Sequence, residues 1–366
     1  LVVTKATGSL RHFWDTVSAD EAWDATLGTL QLSVGTTLMA VVLGTALAWL
    51  TTRTDLPWKG FFRSTLTVPY IIPPYIAAVA WITLANPSVG LLNKLFGAGA
   101  LDIYSMTGLT WVLGLSFYPY VFLTVRAALE SADPSLEDAA RMSGAGTWRV
   151  LKDVSFPLMR PAVIASGGLV FMATASAFGA PVLIGNAARL DFLSTSIFDA
   201  YATGLGGMAT ASSLACLLFV FALVPMLLRG AHHAVLTGKA PRPTLVRLGR
   251  ARRPILAAMT AFVVVGVLLP AVAVAVTAFL RVAGDLRPAN FTFENFEVLA
   301  ERENRSAIVT SLGLAALAAT AAVVLGGLIA WLQVKTRTKG RTLLSALAAL
   351  TLATPGTVLA LGLILV

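Results

Sequence analysis

The chain has 366 residues, of which 57% are hydrophobic and 12% charged, with a mean hydropathy of +0.80. Ordinary globular domains are roughly 45–50% apolar and about 25% charged, so the composition excludes a soluble globular enzyme and describes an integral membrane protein. The net charge of +9 could invite nucleic acid, but the basic residues are placed by topology, and the lone Cys216 excludes a disulfide framework or a cysteine-based metal site.

Residues 1–28 read as a polar arm. Crossing about 30 Å of hydrocarbon takes around 20 residues. Eight uncharged runs are long enough: Thr29–Thr52, Ser64–Asn93, Ile103–Val125, Pro161–Ala188, Ala200–Leu228, Pro254–Leu280, Ser306–Val334 and Thr342–Val366. The expected fold is therefore an all-α polytopic membrane protein with eight transmembrane helices. A β-barrel is excluded, because barrel strands alternate over ~10 residues and these runs do not.

Prolines punctuate the runs. Ser64–Asn93 holds Pro69, Pro73, Pro74 and Pro87, and Tyr118-Pro119-Tyr120 interrupts the third run. Proline removes a backbone donor and bends a helix, which membranes tolerate where neighbours or a cavity satisfy the freed groups. Ordinary kinking is one reading. The other takes Pro69, Tyr70, Pro73, Pro74, Tyr75 and Tyr118 as candidate pathway residues. An external segment, Leu183–Tyr201, carries Asn186, Arg189, Asp191 and Asp199; it either contacts an external partner or gates the pathway, or is a solvated connection with a short re-entrant helix.

Lysine and arginine fix the orientation. Alternate connections contain nineteen of the 27 basic residues, among them Arg53, Lys59 and Arg63, the loop Arg126–Arg160, the linker 229–253 and Lys335–Arg341. Those connections are expected to be cytoplasmic, with the start of the chain outside. His12 is then external, while His232 and His233 fall in the basic linker, beside lipid headgroups or solvent rather than metal.

Arg126–Arg160 is the one long polar stretch that reads as two helices. Asp133 is placed to cap the first, Pro134 suits its first turn, and Glu137 and Asp138 lie where the macrodipole favours anions. Gly144 and Gly146 are expected to stop it, Thr147 to cap a second helix, and Pro157 with Pro161 to end that one.

An internal repeat organises the rest. Glu21–Leu50 laid over Glu303–Leu332 gives twelve identities in thirty positions, including Ala40–Gly44 against Ala322–Gly326. Both copies lead into a short basic turn and a proline-bearing run. The chain thus reads as two tandem units, both incomplete: 29–228, lacking its first helix, and 254–366, truncated before its own counterpart of Arg126–Arg160. The expectation is a full protein of about twelve helices.

The loop resembles the signature of binding-protein-dependent ABC importer permeases, Glu-Ala-Ala, three residues, Gly, nine residues, Ile-x-Leu-Pro. Here Asp138-Ala139-Ala140 precedes Gly144, and Val154-Ser155-Phe156-Pro157 follows at the same spacing, with Asp, Val and Phe substituting conservatively. In that family the loop seats in a groove of an ATP-hydrolysing subunit pair on the cytoplasmic side. The resemblance assigns Asp138, Ala139, Ala140, Gly144 and Pro157 to that pattern; Glu137, Arg141 and Trp148 are added on position alone. The tandem layout, Asp133-Pro134-Ser135-Leu136-Glu137 and Phe178-Gly179-Ala180-Pro181 are similar to the ferric-iron importer permeases. Neighbouring branches carry thiamine, phosphonates or polyamines. The resemblance also implies an external solute-binding protein, a bacterial inner membrane, no cofactor and no metal site, since the cargo's ligands belong to the binding protein. No G-x-x-x-x-G-K-[ST] loop occurs, so the chain is read as a transport subunit and not an enzyme. An ion-coupled secondary transporter would keep ionisable groups at mid-membrane depth, and the eight runs hold no Asp, Glu, Lys, Arg or His.

Overall fold

A computed structural model describes residues 10–204, 207–227, 245–282, 284–336, 340, 344, 347 and 354–364. The linker before residue 245, with His232 and His233, lies outside the described residues, as does about half of the run Thr342–Val366. The helices are α1 (Leu10–Val17), α2 (Asp20–Arg53), α3 (Lys59–Thr65), α4 (Pro74–Ala85), α5 (Leu91–Phe96), α6 (Met106–Ser131), α7 (Ser135–Met142), α8 (Thr147–Ala175), α9 (Leu193–Ala202), α10 (Met208–Leu227), α11 (Gly249–Thr277), α12 (Arg302–Lys335) and α13 (Gly356–Ile364). Among the described residues there is no named strand, only two isolated bridges.

Five of these, α2, α6, α8, α11 and α12, are long and apolar enough to cross a bilayer. A sixth apolar run is broken. The run Ser64–Asn93 bends by 100° between Lys59–Tyr70 and Pro74–Ala85. Twelve helical residues after the break rise only about 18 Å, so neither piece crosses alone. α10 is a shorter apolar helix.

The fourth run departs from expectation. Its helix starts at Thr147 and runs through both Pro157 and Pro161 to Ala175, instead of ending at them. A π-turn over Leu151–Ser155 explains this, because the Phe156 N–H reaches back to the Leu151 carbonyl. Widening the ladder to i→i+5 makes room ahead of two residues that have no N–H to give. α11 pairs a π-turn over Val264–Leu268 with Pro270 in the same way.

The chain divides into two compact parts. The larger ends at Val274 and takes in α13; the smaller begins at Ala275. In the larger, α2 packs against α6 and α8 around Leu109, Leu113, Val121 and Phe122. Gly44 sets the α2–α6 spacing. A Cβ built there would lie 2.6 Å from Val121 Cβ and 2.9 Å from both the Phe122 nitrogen and the Tyr118 carbonyl oxygen. Small residues let transmembrane backbones approach this closely, and the gain is van der Waals contact along the whole pair.

In the smaller part, Asn290 and Asn295 tie the segment after α11 to itself through the carbonyls of Val282, Asp285, Ala278 and Leu280. Phe279, Phe293 and Phe296 cluster beside them. α12 buries none of its residues. It is 34 residues long, like α2, and both of its ends are offset from those of α2 by the same 282 positions that align the repeat.

Candidate functional site

The polar loop is built from α6 downward. Arg126 and Arg63 both meet Glu130 at the foot of α6, at 2.9 and 3.5 Å. Asp133 then turns the chain. Its Oδ1 accepts the Ser135 amide at 2.9 Å, and this bond, seconded by the Ser135 hydroxyl, holds the carboxyl below its ordinary range. α7 starts two residues later, and its exit is a Schellman motif. Gly144 sits at φ +85°, its N–H donates to the Arg141 carbonyl and the Ala145 N–H donates to that of Ala140. Gly146 holds the extended cap position of α8, so Thr147 is already inside the helix and makes no cap, contrary to the sequence reading. Its hydroxyl is one residue too late to reach the orphan donors of the first turn.

α7 is inside out. Its apolar Leu136 and Met142 are exposed, Met142 at 84%, as is Trp148 at 75% just beyond. Ala139, Gly144 and Pro157 are exposed with them, and Ala140 is half-buried. Glu137 points the other way. It and Arg53, the last residue of α2, are each 2% exposed, with Arg53 Nε 3.1 Å from Glu137 Oε1. The Ser155 hydroxyl donates to the same oxygen at 3.0 Å. Asp138 stays at the rim, 3.2 Å from Arg141, whose other nitrogen is 3.7 Å from Glu137. Of the eight residues expected on the loop's contact surface, Glu137 alone is buried beneath it.

At the break in this run, Val68–Tyr70 tightens to a 3-10 turn and Pro73 and Pro74 open α4. The Tyr70 N–H donates to the Thr67 carbonyl, which leaves the Leu66 carbonyl without its helical donor, and the buried Tyr118 hydroxyl fills that place at 2.9 Å. Tyr118 is therefore the brace of the break. Tyr70 is exposed and packs tilted against Tyr120, ring centroids 4.9 Å apart, while Tyr75 is exposed and faces Gly179, where a Cβ would come within 3.0 Å of the ring. An apolar cavity of about 240 Å³ opens beside Pro69, Ile72, Trp81, Gly266 and Pro270.

The family described as binding-protein-dependent transport system inner membrane component matches residues 40–234, which include the loop, the break and the end of α2. The chain belongs to that family of permeases. The molybdenum transport system permease protein of Escherichia coli (strain K12) is 29% identical over 167 residues, covering 45% of this chain and 73% of its own. The sulfate transport system permease protein of the same organism is 29% identical over 205 residues, 54% of this chain and 72% of its own. A protein of Haemophilus influenzae whose name places it in a ferric transport system is 25% identical over 344 residues; these cover 90% of this chain and 53% of that protein's length. A chain of a bacterial alginate ABC transporter shares the fold, with a TM-score of 0.51 at 20% identity, covering 62% of this chain and 84% of that one.

On the other side of the permease, a cleft of about 880 Å³ opens between α1, the start of α2, α9 and α10. Asp15, Glu21, Asp191 and Asp199 line it together with His12. The segment before α9 is seated on α2: the Leu193 N–H donates to Thr29 Oγ1 at 2.9 Å, and the Asp191 carbonyl lies where a Cβ on Gly28 would be. Sequence reasoning missed Arg53, which it counted only as a topological charge. Its position directly after the run Thr29–Thr52 and the acid at 137 were both visible; their meeting, 84 positions apart, was not.

Proposed function

We propose that this permease forms the membrane pathway of an ATP-driven importer that takes a small solute, ferric iron in the first instance, from an external binding protein. A separate pair of ATP-hydrolysing subunits docks on the cytoplasmic loop. The observation that carries the docking is the inversion of α7, which turns Leu136, Ala139 and Met142 outward and ends at the exposed Gly144, an apolar surface with small residues in a polar loop. Small residues admit a second protein's surface, and the exposed apolar side chains gain by being covered. Closure of the ATPase pair would move the loop and tilt the crossings behind it, giving alternating access at the broken helix, where Tyr70 and Tyr75 are exposed.

Ferric iron is favoured by the length of the match, 90% of the chain for the ferric relative against about half for the molybdenum and sulfate relatives. The carboxylates of the external cleft agree, since a negative mouth concentrates cations and repels oxyanions. The equal length and constant offset of α2 and α12 support two tandem units. Molybdate or sulfate is the second reading, and thiamine, phosphonate or polyamine transport the third. The full-length permease, reconstituted in proteoliposomes with its ATPase pair and binding protein, should accumulate ferric iron only when ATP is supplied. Uptake of molybdate or sulfate at equal or greater rate would overturn the iron assignment. Uptake that survives without ATP but collapses with the proton gradient would make it a secondary transporter.

A further inference from the structure

We propose that the buried Arg53–Glu137 ion pair is the joint through which the docking loop moves α2, making both of them positioning residues for transport. This rests on the docking reading above. From Asp133 to Arg149 only Pro134, ahead of α7, and Glu137 are buried, so α7 itself is rooted in the bundle by one carboxylate rather than by an apolar face. Three elements meet at that carboxylate: α7 supplies Glu137, α2 ends at Arg53, and α8 supplies Ser155 from its π-turn. Arg53 is held from a second side. Its carbonyl accepts the Val246 N–H at 2.8 Å, the Asp55 N–H donates to the Val246 carbonyl at 3.0 Å, and Asp55 Oδ1 accepts the Leu248 N–H at 2.9 Å. The end of the linker is thus clipped onto the residue that receives the loop.

A buried pair of this kind transmits force better than apolar packing would. Apolar contacts slide, whereas separating two charges in a low-dielectric site is opposed over the whole displacement, so the partners move together. Since α2 is the helix against which α6 and α8 pack, a shift at its last residue acts on the whole bundle. The pair also has a second arrangement within reach. Arg53 meets Glu137 through Nε alone, as an ion-pair contact without an aligned hydrogen bond, and its Nη2 is buried without a hydrogen-bond acceptor. A small advance of α7 would bring the carboxylate across both nitrogens in the bidentate geometry that arginine prefers. The present contact is then one end of a short stroke.

The test compares Glu137→Gln with the parent protein in the full reconstituted transporter. Three quantities are measured: co-purification of the ATPase pair, ATP hydrolysis, and uptake per ATP hydrolysed. The expected result is normal co-purification and hydrolysis with uptake per ATP at least tenfold lower, restored in the charge-swapped double variant Arg53→Glu, Glu137→Arg. Unchanged uptake per ATP in Glu137→Gln would overturn the proposal. If Glu137→Gln does not insert, the swap carries the test. Restored coupling supports the joint, and an inserted swap that hydrolyses ATP without uptake overturns it. Failure of the docking reading itself would look different, because the ATPase pair would then not co-purify even with the parent.

Discussion

Gly144→Asp should abolish ATP-driven uptake, by at least tenfold, while leaving insertion and folding of the permease intact. Gly144 occupies the left-handed position that ends α7, at φ +85°, and a Cβ there meets nothing within 4 Å. Aspartate is among the few L-residues that visit this conformation, so the local penalty is about 1 kcal/mol and the turn survives. What changes is the outer surface. A carboxylate now projects from the end of α7, where the motif asks for close approach by another protein and where covering the charge costs its hydration. Uptake and ATPase co-purification would both be measured, with circular dichroism and size-exclusion behaviour as the fold control. Normal transport by this variant would contradict the assignment of the loop.

Gly44→Leu should have the opposite signature, destroying the bundle rather than the coupling. The added Cβ would lie 2.6 Å from Val121 Cβ and 2.9 Å from two backbone atoms of α6, and backbone cannot rotate out of the way. Overpacking a well-filled core typically costs 1–3 kcal/mol, and we place this case at about 3 kcal/mol because α2 and α6 must separate along their length. The measurement is thermal unfolding of the purified protein in detergent, with loss of monodisperse material expected. Gly60→Ala, where a Cβ finds open space, serves as the control and should leave the melting temperature unchanged. A Gly44→Leu protein that melts with the parent would mean that α2 and α6 do not touch at this point.

Much of the fold was legible because a membrane allows few solutions. Apolar length alone located α11 and α12 to within about a turn and a half and α6 to within two turns, whereas α2 starts at Asp20, nine residues before the run Thr29–Thr52 and inside the stretch that reads as a polar arm. Other failures came where proline was read as a terminator. At Pro157 and Pro161 the ladder widens to a π-turn and continues, whereas at Pro69 and Pro73 it breaks by 100°. The difference is not in the prolines. It lies in whether a partner such as the Tyr118 hydroxyl stands ready to take a freed carbonyl, which is a tertiary fact. The loop motif was legible by spacing, and Ala139, Gly144, Trp148 and Pro157 are exposed. Glu137 did not, because a carboxylate on a polar helix looks solvated until Arg53 is brought beneath it.

The account stands on the claim that α7 is the surface an ATP-hydrolysing subunit grips. A photoactivatable cross-linker attached at Ala139→Cys, in a Cys216→Ser background and in the full transporter, tests it most directly, with Ser88→Cys as the comparison. Ala139 should give a covalent adduct with the ATPase subunit whose yield changes when ATP is added, and Ser88 should give none. No adduct at Ala139, or an equal adduct at Ser88, would contradict the account.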